Sequence, residues 1–421
     1  MRIPEQLRAS LNDHNRSHAQ AFLASVAFLL TIFGTLGLSA QQLNQLVTFN
    51  GKNGNNPGGK LAMDAAGNIY GTTFYGGRFA DFGPGTVYRL THKDSGWAFT
   101  TLYDFTGYND GKNPWGGVTL GPDGALYGTT YGGGLYGYGV VFKLQPPPTE
   151  CKTATCYWTE AVIHNFTGGS DGSAPQGVLV FDSAGNLYGS TIAGGEGSHG
   201  VVYELSPAEG SWNISILHAF IGGSDGSGPE DGVAIDRSGN IYGTTFLGGA
   251  DSAGVIYQLV HGQSGWTENI LHSFAGGADG IYPTALAIDP SGNLFGGTTE
   301  GGANKSGTVF ELQPSGGGFS YSIIYQFGTL FGGPCDAECG FTLDSAGNLY
   351  GAGDGGTGEG GVVFELSPSN GSWNVTVLWS FDVHDGYDPS GWPILDAQGN
   401  LYGTTEYGGG GNDGNFWQLT P

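Results

Sequence analysis

The sequence predicts an all-β protein built from repeated, four-stranded units. Glycine supplies 82 of the 421 residues, whereas charged residues make up only 12 % and aromatic residues reach 13 %. Because glycine costs about 1 kcal/mol at each helical position, long helices are disfavoured. The aromatic content is higher than disordered chains carry. Short strands joined by tight turns satisfy both observations.

A phrase that recurs seven times is the third observation. It has the form Gly-Asn-apolar-Tyr-Gly-Thr-Thr, followed by Gly-Gly. The glycine after the aromatic residue stands at positions 71, 128, 189, 243, 296, 351 and 403. Repeats of this length, each with four strand-like runs, are typical of the blades of a β-propeller. The sequence therefore predicts seven four-stranded blades.

Each repeat contains four strand-like runs. The first is Gly-x-apolar-x-apolar ending in Asp, the second is the recurring phrase, and the third is Gly-Val-Val-aromatic-x-Leu. The fourth opens with Trp and closes with Phe eight residues later. Its alternation predicts a strand with Trp212, Ile214, Ile216, His218 and Phe220 on one face.

The turn between the first two runs is specified by an aspartate three residues before a glycine. Such an aspartate can accept the backbone N–H two residues on, and glycine tolerates a left-handed backbone. We expect these aspartates to shape hairpins and not to act as catalysts. They are Asp64, Asp182, Asp236, Asp289, Asp344 and Asp396.

The two ends of the repeat region predict how the propeller closes. Residues 45–49 resemble a fourth run without its first three, and the last repeat stops after its third run, at 416–419. We therefore expect residues 43–49 to pair with 414–420 as the outermost strand of the last blade. This pairing would remove an open sheet edge. The prediction is one domain, 41–421, of seven blades.

Residues 1–40 have the pattern of a secretory signal peptide. Three arginines precede 18 uncharged residues, 21–38, and the small residues Ser39 and Ala40 follow. We expect cleavage after Ala40 and a secreted, periplasmic or cell-surface protein. The alternative is an uncleaved membrane anchor at 21–38, because 18 apolar residues could just span a bilayer.

Charge and cysteine content agree with export. The net charge of −24 argues against nucleic-acid binding, which needs a basic surface. The cysteines form two local pairs, Cys151 with Cys156 and Cys335 with Cys339. In an oxidising compartment these pairs predict local disulfides. A four-thiolate zinc site would need both pairs to meet.

Three phrases together resemble a known repeat family. They are Gly-Asn-Leu-Tyr-Gly-Thr-Thr with Gly-Gly, Gly-Val-Val-Tyr-Glu-Leu and Trp-x-x-x-x-Leu-x-x-Phe. They resemble the GloVer tandem repeat of choice-of-anchor proteins over nearly all of 41–421. The resemblance implies an exported bacterial surface or extracellular protein and supplies no reaction. Because Pro421 follows a strand directly and no anchor is visible, we expect a free product. A looser similarity to NHL-type propellers supports only the fold.

The default ligand surface is the rim formed by two kinds of loop. These loops join run two to run three, and run four to the next blade. The second kind carries Asp-Gly-x-x-Pro, with its aspartate at Asp110, Asp171, Asp225, Asp279 and Asp385. These carboxylates could form a ring that binds a cationic ligand or a structural Ca²⁺ ion. Alternatively they set a tight turn, as their recurrence favours. No other cofactor is expected.

Tyrosines in the rim loops are the second group of candidate ligand-binding residues. An exposed tyrosine can stack on a sugar ring while its hydroxyl stays in water. The alternative is ordinary packing within the loops. The residues are Tyr75, Tyr131, Tyr136, Tyr138 and Tyr407.

Histidines at one repeated position suggest packing more than metal binding. His164, His218 and His272 occupy a position that holds Tyr or Trp in other repeats. A position that accepts all three residue types is a packing position, and metal ligands must converge. We therefore expect no metal site there.

The predicted function is a monomeric binding or interaction module for a polysaccharide or a surface protein. One alternative is a glycan lyase, a hydrolase or a lactonase-like enzyme with its site at the channel mouth. That would need polar groups unique to one repeat. The candidates are His199, Glu230, Asp231, Glu300 and Asp354. Another alternative is a structural protein of the cell envelope.

Overall fold

The computed structural model describes residues 41–79, 82–147, 158–328, 340–354 and 360–421. Within Leu43–Thr420 the chain forms one compact unit. The proposed leader and all four cysteines lie outside the described residues, so the cleavage site and the disulfides stay predictions. No helix among the described residues has the length and apolar character needed to cross a membrane.

The described chain is all-β. Apart from two short 3₁₀ turns, Gly223–Asp225 and Gly277–Asp279, its regular elements are strands. In chain order they are β1 (Gln42–Thr48), β2 (Asn55–Met63), β3 (Ile69–Tyr75), β4 (Thr86–Lys93), β5 (Gly96–Asp104), β6 (Thr119–Leu120), β7 (Leu126–Thr130), β8 (Val140–Gln145), β9 (Thr159–Asn165), β10 (Val180–Phe181), β11 (Leu187–Thr191), β12 (Val201–Ala208), β13 (Ser211–Ala219), β14 (Ala234–Ile235), β15 (Ile241–Thr245), β16 (Val255–Gly262), β17 (Gly265–Ser273), β18 (Ile281–Pro283), β19 (Ala287–Ile288), β20 (Leu294–Glu300), β21 (Thr308–Ser315), β22 (Gly318–Gln326), β23 (Thr342–Leu343), β24 (Leu349–Gly353), β25 (Val362–Ser369), β26 (Ser372–Ser380), β27 (Tyr387–Leu395), β28 (Leu401–Tyr407) and β29 (Asn415–Thr420).

The strands form antiparallel sheets that follow the sequence repeats. Four sheets have four consecutive strands each: β6–β9, β10–β13, β14–β17 and β23–β26. In the fifth repeat, β18 and β19 both pair with β20, and β21 and β22 complete the sheet. The predicted runs one to four of a repeat therefore lie side by side in chain order.

Both ends of the repeat region belong to one eight-stranded sheet. Its order is β1-β29-β28-β27-β2-β3-β4-β5, so the first and last of the described strands lie side by side. Next to this edge, the Phe49 backbone N–H donates to the Gly414 carbonyl at 2.9 Å. The two halves of the sheet meet at a parallel contact between Lys60 of β2 and Trp392 of β27.

The glycine of the recurring phrase is required by a close approach inside each sheet. A Cβ atom on Gly189 would lie 2.5 Å from the Tyr203 hydroxyl oxygen, and Tyr203 is fully buried. Gly243 has the same relation to Tyr257. A methyl group there would overpack the core, which costs about 1–3 kcal/mol. This contact explains why the Tyr-Gly pair recurs together with the aromatic residue of run three.

The prediction that five alternate residues from Trp212 to Phe220 share one face was wrong beyond Ile216, because Ile214 packs in one core cluster and Phe220 in the next. Val202 pairs with His218 but Tyr203 pairs with Ile216, so β13 carries an extra residue at this point. Leu217 is accordingly buried, whereas Ile216 is 37 % exposed. A β-bulge of this kind shifts the alternation by one residue. Comparable register shifts occur in β4–β5, β8–β9, β16–β17, β21–β22 and β25–β26.

The hairpin role of the first group of aspartates is confirmed, as Asp64 illustrates. Its Oδ1 accepts the backbone N–H groups of Ala66 and Asn68, and its Oδ2 accepts the Tyr70 hydroxyl at 2.9 Å. Gly67 has the expected left-handed φ of 78°. Burial opposes ionisation, but the hydrogen bonds from Asn68 and Tyr70 outweigh it and hold the pKa of Asp64 below its ordinary value.

Candidate functional site

The two kinds of predicted rim loop pair with each other. The loop after the fourth strand of one repeat contacts the loop after the second strand of the next. Backbone bridges join Lys112 to Gly132, Ser173 to Ala193, and Ser227 to Leu247. The loops therefore share one face of the molecule, where their side chains can act together on a ligand.

Four tyrosines from two neighbouring loops form an exposed group, here named the tyrosine patch. They are 77 % (Tyr108), 44 % (Tyr131), 55 % (Tyr136) and 48 % (Tyr138) exposed. The Gly134 N–H donates to the Tyr108 carbonyl at 2.7 Å, which holds the two loops together. Tyr108 was not among the residues predicted from the sequence. It stands where the next three repeats have Gly169, Gly223 and Gly277, and this departure from the repeat could have revealed it.

Tyr75 and Tyr407 lie at the ends of β3 and β28 and pack against other aromatic rings. Tyr407 stacks on Tyr387 with ring centroids 5.2 Å apart and an angle of 19°. Burial, followed by the charges of Glu406 and Asp388, raises the pKa of the Tyr407 hydroxyl. Tyr75 is exposed and lies 6.4 Å from the ring of Phe82. Part of each ring therefore serves packing within the loops.

The aspartates of Asp-Gly-x-x-Pro close their own loops, and Asp110 shows how. Its side chain is buried and accepts the Thr106 backbone N–H at 2.7 Å, the Thr106 hydroxyl at 2.5 Å and the Tyr103 hydroxyl at 3.0 Å. Three donors from one loop and one strand occupy this carboxylate. The turn interpretation accounts for these contacts, and cation binding by the ring of aspartates stays a prediction.

Asp171, Asp279 and Asp385 have equivalent contacts with the fourth strand. Asp171 faces His164 at 3.2 Å, Asp279 faces His272 at 3.0 Å, and Asp385 accepts the indole N–H of Trp379 at 3.1 Å. For His164, burial lowers the pKa and outweighs the opposing effect of Asp171. The repeated His, Tyr or Trp position therefore supports the loop through its aspartate, in addition to packing.

The junction between the third and fourth repeats departs from this arrangement. His218 Nε2 lies 3.3 Å from Asp225 Oδ1 and 3.7 Å from Glu268 Oε1. Neither contact has hydrogen-bond geometry, and both Nε2 and Oε1 are buried without a partner. Burial, together with the neighbouring Asp225, raises the pKa of Glu268 to about 9. Glu268 was not among the residues predicted from the sequence.

The candidates unique to one repeat occupy different places. His199 Nδ1 and Ser227 Oγ are 2.8 Å apart, in two neighbouring rim loops. Burial raises the pKa of Glu230, three residues after Ser227, to about 7. Asp231 is buried and lines a cavity, whereas Glu300 and Asp354 are exposed.

This cavity, of about 480 Å³, lies among the first strands of several repeats. Its walls are mostly apolar, with Leu286, Phe341 and Ile394 among them. Lys60 also lines it, with its ammonium group 4.6 Å from the centre of the Trp392 ring. Burial lowers the pKa of Lys60. A buried ammonium over an aromatic face is a cation–π contact that joins the two ends of the repeat region.

The fold and loops define an all-β, propeller-like tandem-repeat protein. A family model described as the Gloeobacter/Verrucomicrobia repeat matches residues 31–233 and 212–417. The chain belongs to this family, which confirms the resemblance found in the repeated phrases. No curated protein matches the chain in sequence.

Solved structures with a similar fold include enzymes of several kinds. A polysaccharide lyase of the PL25 ulvan lyase family has a TM-score of 0.55 and 10 % identity, covering 90 % of this chain and 95 % of its own. A fungal alcohol oxidase in complex with copper has a TM-score of 0.53 and 12 % identity, and the match covers 90 % of this chain and 76 % of the oxidase. A second polysaccharide lyase has a TM-score of 0.51 and 12 % identity, and the match covers 91 % of this chain and 93 % of the lyase. At these identities the likeness shows the fold alone.

Proposed function

We propose that the protein is an exported, closed, seven-bladed β-propeller that binds a polysaccharide at the tyrosine patch. The observation that carries the proposal is the exposure of four tyrosines in two adjoining rim loops of the second repeat and its predecessor. Tyrosine offers an apolar face for a sugar ring and a hydroxyl that stays hydrated.

The net charge narrows the class of polysaccharide. At −24 the chain repels anionic polymers at long range. A neutral or cationic glycan is therefore the preferred ligand. Gly132, Gly133 and Gly134 follow Tyr131 directly and have no side chains that could cover its ring.

Binding is tested on a glycan array with the mature chain, 41–421. We expect Tyr136→Ala and Tyr108→Ala each to weaken binding by up to about ten-fold, because stacking of one ring is worth about 0.5–1.5 kcal/mol. Tyr136→Phe keeps the ring and should bind nearly as the wild type does. Ile221→Ala is the matched control, since Ile221 is also strongly exposed, but in the loop that joins the third repeat to the fourth.

Two outcomes would contradict polysaccharide binding at this patch. One is binding that survives both tyrosine-to-alanine changes. The other is an array without any bound glycan, accompanied by patch-dependent capture of a purified envelope protein; this would replace the glycan by a surface-protein partner. Loss of binding in Ile221→Ala as well would point to a general defect in folding.

Closure of the ring by β1 is supported by the sheet order, in which β1 lies beside β29. Deleting residues 41–50 should sharply lower the thermal midpoint, because it exposes the edge of β29 and removes Phe49 from the core. If the deletion variant has the same thermal midpoint as the wild type, closure by this strand is ruled out. Electron microscopy of the ring, fused to a rigid partner, counts the blades independently.

Export is tested by fractionation of the native host and N-terminal sequencing. We expect a free, monomeric product that begins at Gln41, with two internal disulfides that intact mass measurement under non-reducing conditions detects. Membrane-bound protein that retains residues 21–38 would instead establish the uncleaved anchor.

A hydrolase or lyase at the rim is a second candidate because His199 Nδ1 lies 2.8 Å from Ser227 Oγ, with Glu230 three residues further along. Imidazole and hydroxyl within hydrogen-bond distance are the elements of a general-base pair. Incubation with polysaccharides, followed by detection of unsaturated or reducing ends, tests this function. Activity that survives His199→Ala would exclude this pair as its source.

A further inference from the structure

The junction of β13 and β17 contains an imidazole and two carboxylates that converge on one point. His218 is on β13, Asp225 is in the loop that leaves this strand, and Glu268 is on β17 of the next repeat. One ligand atom from each lies within 4.8 Å of the other two. This junction brings together residues separated by 50 positions in the chain, which the sequence could not reveal.

We propose that His218 Nε2, Asp225 Oδ1 and Glu268 Oε1 bind a divalent transition-metal ion, for which Zn²⁺ is the probe. Two atoms that each lie about 2.1 Å from a tetrahedral ion are about 3.4 Å apart. The distances from His218 Nε2 to the two carboxylate oxygens, 3.3 and 3.7 Å, match this spacing. Water would complete the coordination.

The unpartnered atoms are the second observation that points to an ion. His218 Nε2 and Glu268 Oε1 are both buried and make no hydrogen bond. Leaving such atoms unpaired is unfavourable, because they have lost their hydrogen bonds to water without gaining others. A metal ion placed between them would satisfy both. The side chains of His218, Asp225 and Glu268 are 20 %, 17 % and 12 % exposed, so an ion can enter from solvent.

Contacts behind the ligands already orient one of them. Asp225 Oδ2 accepts the Ile221 backbone N–H at 2.7 Å, which leaves Oδ1 directed at His218. In metal sites, hydrogen bonds of this kind hold the metal-binding side chains in the right orientation. An imidazole among the donors favours zinc over Mg²⁺ or Ca²⁺, which prefer oxygen alone.

The other junctions lack one of the three ligands and serve as internal controls. The position of Glu268 holds Ile214 beside His164, and Tyr321 beside His272. Tyr321 stacks on His272 at 3.7 Å and covers it. The equivalent Glu160 faces Tyr103, whose hydroxyl donates to Asp110. Only the third junction among those described combines the histidine with the glutamate.

The test is calorimetric titration of the oxidised mature chain, 41–421, with Zn²⁺ after treatment with chelator. We expect one site, weakened at least ten-fold by Glu268→Gln and by His218→Tyr. His164→Tyr and Glu160→Gln are the matched controls and should bind as the wild type does. X-ray absorption of the zinc-loaded chain should show nitrogen and oxygen ligands near 2.0–2.1 Å without sulfur.

Several results would overturn the proposal. They are no saturable Zn²⁺ binding by the wild type, binding unchanged in Glu268→Gln, equal loss in His164→Tyr, or a zinc–sulfur distance of about 2.3 Å, which would assign the ion to the cysteines. Glutamine has the size of glutamate, and an unchanged thermal midpoint of Glu268→Gln in chelator verifies its fold. The rim tyrosines take no part in this site, so its failure leaves the proposed function untouched.

Discussion

Two junctions of the same molecule use one scaffold with different results. Between the first and second repeats, the Tyr103 hydroxyl donates to Asp110 at 3.0 Å, and Glu160 lies on the adjoining strand. Between the third and fourth repeats, His218 and Asp225 take the places of Tyr103 and Asp110, and Glu268 that of Glu160. There His218 Nε2 makes no hydrogen bond.

The difference teaches that the ring at this position decides what the carboxylates can do. A phenol has a donor that satisfies an aspartate, and Asp110 is fully engaged as a result. An imidazole at the same position offers a lone pair or a proton, according to its tautomer. The same two carboxylates then surround a nitrogen that can bind a metal ion. The exchange of Tyr103 for His218 thus distinguishes a junction that supports its loop from one that is a candidate metal site.

The largest expected effect comes from removing the aspartate of the first junction, and the aspartate of the third junction is the comparison. Asp110→Ala leaves the Thr106 N–H and the Tyr103 hydroxyl without their acceptor, which should lower the free energy of unfolding by about 3 kcal/mol. Asp225 accepts a hydrogen bond from the Ile221 N–H, so Asp225→Ala should cost only about 1 kcal/mol. Urea unfolding in chelator measures both. Equal losses would erase the comparison.

Exchange of the rings between the junctions should have an intermediate effect. His218→Tyr supplies Asp225 with a phenol donor, and we expect a gain of about 1 kcal/mol in chelator. Tyr103→His removes the donor from Asp110 and should cost about 1–2 kcal/mol. It also creates the histidine–aspartate–glutamate combination with Glu160, so Zn²⁺ should raise its thermal midpoint. If Zn²⁺ leaves the thermal midpoint of Tyr103→His unchanged, the histidine ring alone is not sufficient to form a metal site.

Glu160 gives the first junction a pH dependence. Burial and the nearby Asp110 raise its pKa to about 7, above the usual 4.5. The protonated form is favoured in the folded state, so its stabilisation is complete below pH 4.5 and is lost as the pH rises through 7. Because the side chain stays partly solvated, we expect about 1 kcal/mol. Thermal melts of Glu160→Gln should not show this fall in stability between pH 4.5 and 7. If the variant still shows it, another group is responsible for the pH dependence.

The smallest expected effect is that of Ca²⁺ on the aspartates of Asp-Gly-x-x-Pro. Asp110 already accepts three hydrogen bonds, and Asp171 accepts the Thr167 N–H besides facing His164. We therefore expect calorimetric melts in excess chelator and in excess Ca²⁺ to differ by less than about 2 °C. That would correspond to under roughly 1 kcal/mol for a chain of this size. A larger upward shift would establish the structural calcium ion that the sequence suggested.

Periodic features were predictable from sequence, and features that depend on register were not. The hairpin of Asp64 and Gly67 is written in adjacent residues, so local chemistry sufficed. The change of face after Ile216 was missed because its cause is a bulge opposite Val202 and Tyr203, which lie on the neighbouring strand. Glu268 was missed because its partner His218 belongs to another repeat. Tyr131 was predicted because it directly follows the recurring phrase, so its place in a rim loop is visible in the sequence.

The adjacency of β1 and β29 imposes an order of events on the nascent protein. A newly made chain emerges with its N-terminus first, yet the partner of residues 42–48 is residues 415–420, the last of the described strands. Nearly the whole polypeptide must be released before this pair can form. Such distant contacts slow folding, since a very long loop has to be closed first. The first strand must therefore wait unpaired, and its central charge-free stretch, Leu43–Thr48, is where a holding chaperone would be needed.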